Sequence, residues 1–235
     1  MFEFIDTNEN SGEFNMDYDL ELVKKYRKTR TECIRVYQWK PYAISLGYNQ
    51  EDFDVSKEKC DAASIDIVRR PTGGRAVFHV EELTYSVVMG GEGKNVSEIY
   101  RFISEKLVKA FIEYDNELEN YLSFEKSKLQ FPEHYKEKSS FACFSASALN
   151  EIKANSKKLV GSAQRNFSDV VLQHGSILLN TKHKEIINYL KDERLIQKVK
   201  SILDEQTISF EELTGRATDL ERLKECIKKE FTVNA

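Results

Sequence analysis

The stretch Arg69-Arg70-Pro71-Thr72-Gly73-Gly74-Arg75-Ala76-Val77-Phe78-His79 constrains this chain more than any other. Apolar runs flank it, Ile65 to Val68 before and Ala76 to Val80 after, so the pattern predicts a strand, a tight turn and a second strand. Paired glycines let bare backbone N–H groups come close to whatever lies in the turn. Three arginines and a histidine surround it, which suits a carbonyl oxygen, a phosphate or a carboxylate. No Gly-Lys-Ser/Thr follows, so it is not a P-loop. No helix opens after it, so it is not a dinucleotide fingerprint. A plain β-hairpin with surface arginines satisfies the same pattern.

Glycine and proline are scarce, 10 and 3 in 235 residues, so each position carries information. Gly90, Gly91 and Gly93 close a second pair of strand-like runs, Ala76 to Val80 and Leu83 to Met89. Gly161 and Gly175 stand inside strand-like runs, where glycine marks a close backbone approach. Strands are also predicted at Cys33 to Trp39, Tyr42 to Leu46, Ala148 to Ala154, Leu159 to Gln164 and Val170 to Leu179. The spacing of Met16, Leu20, Val23 and Tyr26 predicts a helix over Asn15 to Lys28, capped by Asn15. Helices are further expected at Phe53 to Ala63, Lys184 to Leu190 and Leu195 to Leu203. Asn95 with Glu98 opens the clearest helix, with Ile99, Ile103, Leu107 and Phe111 on one stripe. Ser209 with Glu212, and Thr218 with Glu221, have the same capping spacing, and Leu118 to Ser140 reads as a long charged loop. Strand pairs near the middle with helices before and after predict one α+β domain over 1–235, a central mixed sheet flanked by helices.

Composition excludes several classes. With 35 Lys+Arg against 39 Asp+Glu and a pI near 5.7, the chain has no basic surplus for general nucleic-acid binding. Apolar runs such as Val170 to Leu172 are too short for a bilayer. Met1 to Glu13 has no signal-peptide pattern, so a cytoplasmic protein with reduced thiols is expected. The cysteines, Cys33, Cys60, Cys143 and Cys226, have no metal-ligand spacing, and no metal site is expected.

Two further segments resemble binding strands. In Lys157-Lys158-Leu159-Val160-Gly161-Ser162-Ala163-Gln164 a lysine precedes small residues that leave room for a flat or extended ligand. Lys158 can fix a carbonyl or acidify a neighbour, or be a solvated turn lysine after Asn155-Ser156. Leu172-Gln173-His174-Gly175-Ser176-Ile177 repeats a polar pair before a strand glycine, and His174 also reads as a satisfied structural histidine. Cys143 sits between the charged loop and a strand pair, fifteen residues before Lys158. An ammonium beside it would lower its thiol pKa.

Together the three segments resemble the biotin/lipoate protein ligase and acyltransferase family. Its members share Arg-Arg-x-Thr-Gly-Gly ending in a histidine, then Lys-x-x-Gly-Ser-Ala, then His-Gly-Ser/Thr. Phe14 to Asp19 and Ser45 to Gln50 are further echoes. Arg75 in place of a third glycine, and Glu82-Leu83-Thr84-Tyr85-Ser86 after it, resemble the LipM-type octanoyltransferase branch, which carries a cysteine and a lysine at the places of Cys143 and Lys158.

That resemblance implies transfer of octanoyl from acyl carrier protein, through an acyl-cysteine on Cys143, to a lysine of a lipoyl domain or glycine cleavage H protein. Lys158 would keep the thiol acidic and orient the carbonyl. Arg70, Gly73, Gly74, Arg75, His79, Gly161, Ser162, Ala163, Gln164 and His174 would form the substrate site. No cofactor, metal or ATP is implied. Related activities on the same motifs are an ATP-dependent lipoate ligase and an octanoyl amidotransferase between lipoyl domains, and a non-catalytic lipoyl-domain binder is the remaining alternative.

Overall fold

The short alternating runs form strands, and the apolar stripes form helices that cover them. The computed structural model describes residues 1–50, 55–124 and 151–233. Its strands are β1 (Glu3–Asn10), β2 (Cys33–Trp39), β3 (Ala43–Leu46), β4 (Asp66–Arg69), β5 (Val77–His79) and β6 (Leu83–Gly90). They continue as β7 (Leu122–Phe124), β8 (Ile152–Ala154), β9 (Lys157–Lys158), β10 (Val160–Asn166) and β11 (Val170–Ile177). The helices are α1 (Gly12–Thr29), α2 (Lys57–Ala62), α3 (Val96–Tyr114), α4 (Ile196–Gln206), α5 (Phe210–Thr214) and α6 (Leu220–Thr232).

A five-stranded sheet in the order β1-β2-β6-β11-β10 is the centre. β1 runs parallel to β2 and the other pairs are antiparallel, so the expected α+β class with a mixed central sheet is the observed one. A three-stranded sheet, β4-β3-β5, lies beside it, and β7-β8-β9 form a small third sheet. The Asn155-Ser156 turn joins β8 to β9, with both residues at positive φ.

The two expected hairpins around Arg69 to Met89 do not form. β4 and β5 both pair with β3, on opposite sides, so the glycine turn carries the chain across a strand. β5 and β6 belong to different sheets, so the chain changes sheet at Val80 to Glu82. Local alternation fixes a strand and its faces, but its partner is chosen by tertiary packing.

Alternate residues of the central strands face two layers. Ile34, Val36, Leu83, Tyr85 and Val87 pack against Ile103, Leu107 and Phe111 of α3 and Leu223 and Ile227 of α6. On the other face Cys33 and Val88 meet Leu22, Val23 and Tyr26 of α1, and Tyr37 and Trp39 meet Met16. α1 starts earlier than predicted because Ser11, not Asn15, caps it, accepting from the Phe14 N–H. Asn15 is buried instead and ties Asn10 O and Gln38 O to the helix. Ser209 and Glu212 form the expected capping box. The final helix is capped by Asp219 in place of Thr218, and 182–189 is a 3₁₀ segment.

Candidate active site

A narrow cavity opens between the α1-facing side of the central sheet and the β4-β3-β5 sheet. Its volume is about 20 Å³, room for roughly one water. β10 contributes Gly161, Ser162 and Ala163, and β11 contributes His174, Gly175 and Ser176. The opposite wall holds Ser45, Arg70, Val77 and His79, and the far end is closed by Met16, Tyr37 and Trp39.

The backbone of β11 can lie this close to β10 only at a glycine. A Cβ on Gly175 would stand 2.6 Å from Ser162 Oγ and 2.8 Å from Gly161 O. Ser162 Oγ is held by the Tyr85 hydroxyl at 2.8 Å, which itself accepts from Gln173 Nε2 at 2.9 Å. Burial pushes the Tyr85 phenol up to about 12, so it stays a donor.

Two buried histidines flank the cavity. His174 Nδ1 lies 3.0 Å from Asp19 Oδ2, and its Nε2 lies 2.5 Å from Thr72 Oγ1. Burial holds the imidazole below its ordinary value, so it is neutral at pH 7. The partners then assign Nδ1–H as donor to Asp19, with the Thr72 hydroxyl donating to Nε2. Burial pushes the Asp19 carboxyl up, but the His174 bond, the Arg35 charge and the Ser86 bond together hold it below the usual range. Arg35 Nη1 sits 2.9 Å from Asp19 Oδ1, and Ser86 Oγ donates to the same oxygen at 2.7 Å. On the other side His79 Nδ1 lies 2.7 Å from Glu82 Oε1, and its Nε2 lies 2.7 Å from Ser45 Oγ. The His79 ring stacks on Trp39, centroids 3.9 Å apart.

The arginine-glycine turn is mostly bound to its own backbone. Arg70 Nη1 donates to Ser45 O at 2.9 Å, and Nη2 donates to Gly73 O and Arg75 O at 2.9 and 2.7 Å. Arg69 Nη1 holds the carbonyls of Gly47, Tyr48 and Gln50. Gly74 is at φ 98°, and its carbonyl so crowds Gly47 that a Cβ there would meet it at 2.0 Å.

The fold matches known proteins. A family model described as the lipoyl protein ligase A/B catalytic domain matches residues 11–232. The chain is 34% identical to an octanoyltransferase LipM of Clostridioides difficile (strain 630), over 93% of this chain and 81% of that protein. It is 31% identical to the octanoyltransferase LipM of Bacillus subtilis (strain 168), over 98% of this chain and 84% of that one. The chain belongs to the lipoyl protein ligase A/B catalytic domain family. Solved structures share its fold: a bipartite lipoate protein ligase of Thermoplasma acidophilum superimposes with a TM-score of 0.75 at 19% identity, covering 99% of this chain and 83% of that one. A lipoate-protein ligase A bound with ATP gives 0.71 at 20% identity, over 99% and 85%.

Of the residues this family resemblance singled out, Arg70, His79, Gly161, Ser162, Ala163 and His174 line the cavity. Gly73 is exposed, and neither it nor Gly74 nor Arg75 borders the cavity; they shape the turn that Arg70 clasps. Gln164 bonds Gln173 across β10 and β11 at 3.1 Å. Lys158 is buried, with Nζ 3.2 Å from Glu151 Oε2, also buried. Cys143 lies outside the described residues. Sequence reasoning gave no site role to Met16, Asp19, Trp39, Ser45 or Thr72. A signal existed in β6 and β11: Thr84 and Ser86 alternate with Leu83, Tyr85 and Val87, and His174 and Ser176 flank Gly175, in strands buried on both faces, where polar side chains need partners. Among the described residues no cluster of His, Cys, Asp or Glu could hold a metal, and no helix is long and apolar enough to cross a membrane.

Proposed function

We propose that the protein transfers an octanoyl group from acyl carrier protein to a lysine of a lipoyl domain or glycine cleavage H protein, by way of a thioester on Cys143. The observation that carries this reading is the near full-length similarity, at 31–34% identity, to octanoyltransferases. The chemistry of the chain supports it. Burial pushes the Cys33 thiol up to about 12, Cys60 up to about 11 and Cys226 upwards, so these three are poor nucleophiles at neutral pH. Cys143 remains as the cysteine beside a family motif.

In the first step the Cys143 thiolate attacks the thioester carbonyl of the donor. A carbon–sulfur bond to Cys143 forms, the bond to the carrier sulfur breaks, and the carrier thiolate leaves and takes up a proton. In the second step the acceptor amine attacks the acyl-cysteine, a carbon–nitrogen bond forms, the cysteine thiolate leaves and the ammonium proton is lost to water. Splitting transfer in this way is covalent catalysis. Lys158, on β9 just before the Gly161 to Ala163 strand, supplies a charge for the carbonyl oxygen that becomes negative in each step. Glu151 balances that buried ammonium. The cavity holds roughly one water as it stands, so its walls, with Trp39, Met16 and Val77, must part to receive the acyl chain.

Intact mass spectrometry after incubation with octanoyl carrier protein tests the reading. An adduct of one octanoyl group on the wild type, absent in Cys143→Ala, together with transfer to a lipoyl domain without nucleotide, is the expected result. Transfer from free octanoate or lipoate only when ATP and magnesium are present would replace it with the ligase reading.

A further inference from the structure

Met16 borders two spaces. One is the narrow cavity; the other is an open cleft of about 570 Å³ lined by Ser11, Asp17, Asp66, Val68 and Arg69. Met16 is the one residue common to both linings. The cavity runs across the sheet from Gly161 to Ala163 on β10, beside the Lys158 segment, to Tyr37 and Trp39 on β2. With β6 and β11 between them, these ends are about 14 Å apart at about 4.8 Å per strand. Met16 packs on Tyr37 and Trp39, at the end remote from Lys158.

Its position is fixed by its neighbours on α1. Asn15 is bonded to Asn10 O and Gln38 O, and Asp19 is bonded to Arg35, Ser86 and His174. These bonds anchor the first turns of α1 over the sheet, and the Met16 side chain borders both the cavity and the cleft.

We propose that the Met16 side chain is the stop that sets the longest acyl chain the protein accepts. This rests on the acyl-transfer reading above. A chain entering from the Lys158 end meets the Met16 thioether last. One that is longer must displace it and emerge into an open cleft where Asp17, Asp66 and Arg69 stand among Ile67 and Val68, so its last carbons stay partly in water and gain less than those in the cavity. A residue that fills the end of an apolar pocket discriminates single methylenes by about 10- to 200-fold.

Trp39 is the single tryptophan of the chain and lines the cavity beside Met16, so its fluorescence reports occupancy without turnover. Hexanoate, octanoate, decanoate and dodecanoate are titrated against wild type, Met16→Ala, Met16→Leu and Met16→Phe, and transfer from the matching acyl carrier proteins is measured in parallel. For the wild type, binding and transfer should drop at least tenfold between the eight- and twelve-carbon chains. Met16→Ala should bring the twelve-carbon chain within about threefold of octanoyl, and Met16→Leu, of similar volume, should keep the wild-type profile. Met16→Phe should move the cut-off towards hexanoyl, which decides the matter should the alanine variant not fold. Length profiles that superimpose on wild type in both Ala and Phe variants overturn the role of Met16 while leaving octanoyl transfer intact. A wild type that neither binds octanoate nor transfers octanoyl overturns the functional reading itself.

Discussion

The two faces of the central sheet use alternate residues of the same strands and bury opposite chemistry. Towards α3 and α6 the strands present Ile34, Val36, Leu83, Tyr85 and Val87, met by helix residues that are equally apolar. Towards α1 and the β4-β3-β5 sheet the intervening positions hold Arg35, Tyr37, Thr84, Ser86 and His174, all buried. The first face is stabilised by area removed from water, about 1.5–3 kcal/mol per large side chain. Such contacts tolerate small slides. The second gains little net energy from its charges, because desolvation offsets their attraction. Its hydrogen bonds are directional, however, and hold α1 in one register over β2, β6 and β11. One face supplies stability; the other supplies the geometry of the cavity.

The largest effect should come from unbalancing the polar face. Arg35 is fully buried, donates to Thr7, Asn15 and Asp19, and lies over the rings of Tyr18 and Tyr37 at 4.6 and 3.8 Å. Arg35→Met leaves Asp19 ionised without its counter-charge and should cost about 3–5 kcal/mol in urea unfolding. The pair Arg35→Met with Asp19→Leu should cost less than the single change, since no orphan charge remains. A double variant as unstable as the sum of the singles would mean that the two side chains are energetically independent.

Acid should separate the faces next. His183, beneath α4, is pushed down to about 4 by burial and is bonded to Thr207 Oγ1 at 2.9 Å; His174 is also held below its ordinary value. For a group whose folded value is depressed, the unfolded chain binds the proton more readily. The stability is therefore full above about pH 6.5 and is lost as pH falls towards the folded value. His183 alone accounts for at most about 3 kcal/mol between pH 6.5 and 4. His183→Gln and His174→Gln should each flatten that limb of the stability curve, and variants on the α3 face should not. An unchanged slope in both histidine variants would place the acid sensitivity elsewhere.

The difference between the faces also explains what was legible in the sequence. Element positions followed from periodicity, because Ile34, Val36, Leu83 and Val87 repeat at two residues and Ile99, Ile103 and Leu107 at three to four. Pairing did not, because nothing local in Val77 to His79 states that β3, and not β4 or β6, lies beside it. The candidate site was legible only as far as its motifs: His79, Ser162 and His174 were found by them. Asp19, Thr72 and Ser45 lie inside motif segments but received no role, because each looks ordinary alone and acquires meaning from a partner distant in the chain, as Asp19 does from His174. Glu151 was missed for the same reason: a single acidic residue gives no sign that it is buried against Lys158.

On the apolar face, small deletions should be felt as stability and nothing else. Ile103, fully buried in α3, is not one of the residues that line the cavity. Ile103→Val should cost about 0.5–1.5 kcal/mol. Thermal unfolding should detect that loss, while the acyl-length profile and the acid limb stay those of the wild type. A shifted length profile would show that the two faces are mechanically coupled through the sheet.

The smallest effect is expected at Glu82, and it sharpens the contrast within the polar face itself. Glu82 Oε1 accepts from His79 Nδ1 and from Thr84 Oγ1, each at 2.7 Å, and Thr84 in turn accepts from Trp39 Nε1 at 2.7 Å. Its other oxygen, Oε2, is buried and has no hydrogen-bond partner among the described residues. Asp19 differs: donors from Arg35 and Ser86 reach one of its oxygens, and donors from His174 and Tyr37 reach the other. An amide in place of the Asp19 carboxylate must turn its NH₂ towards those donors, which should cost about 1–3 kcal/mol for a buried group left unsatisfied. In Glu82→Gln the amide oxygen keeps both bonds at Oε1, and the NH₂ takes the position that already lacks a partner, with no charge to desolvate. The change should therefore stay within about 1 kcal/mol of wild type in urea unfolding. The Trp39 emission should also keep its position, because the Trp39–Thr84 bond and the stack on His79 both survive. A loss above about 3 kcal/mol in Glu82→Gln would mean that the His79 side of the cavity depends on a buried negative charge as strongly as the Asp19 side does.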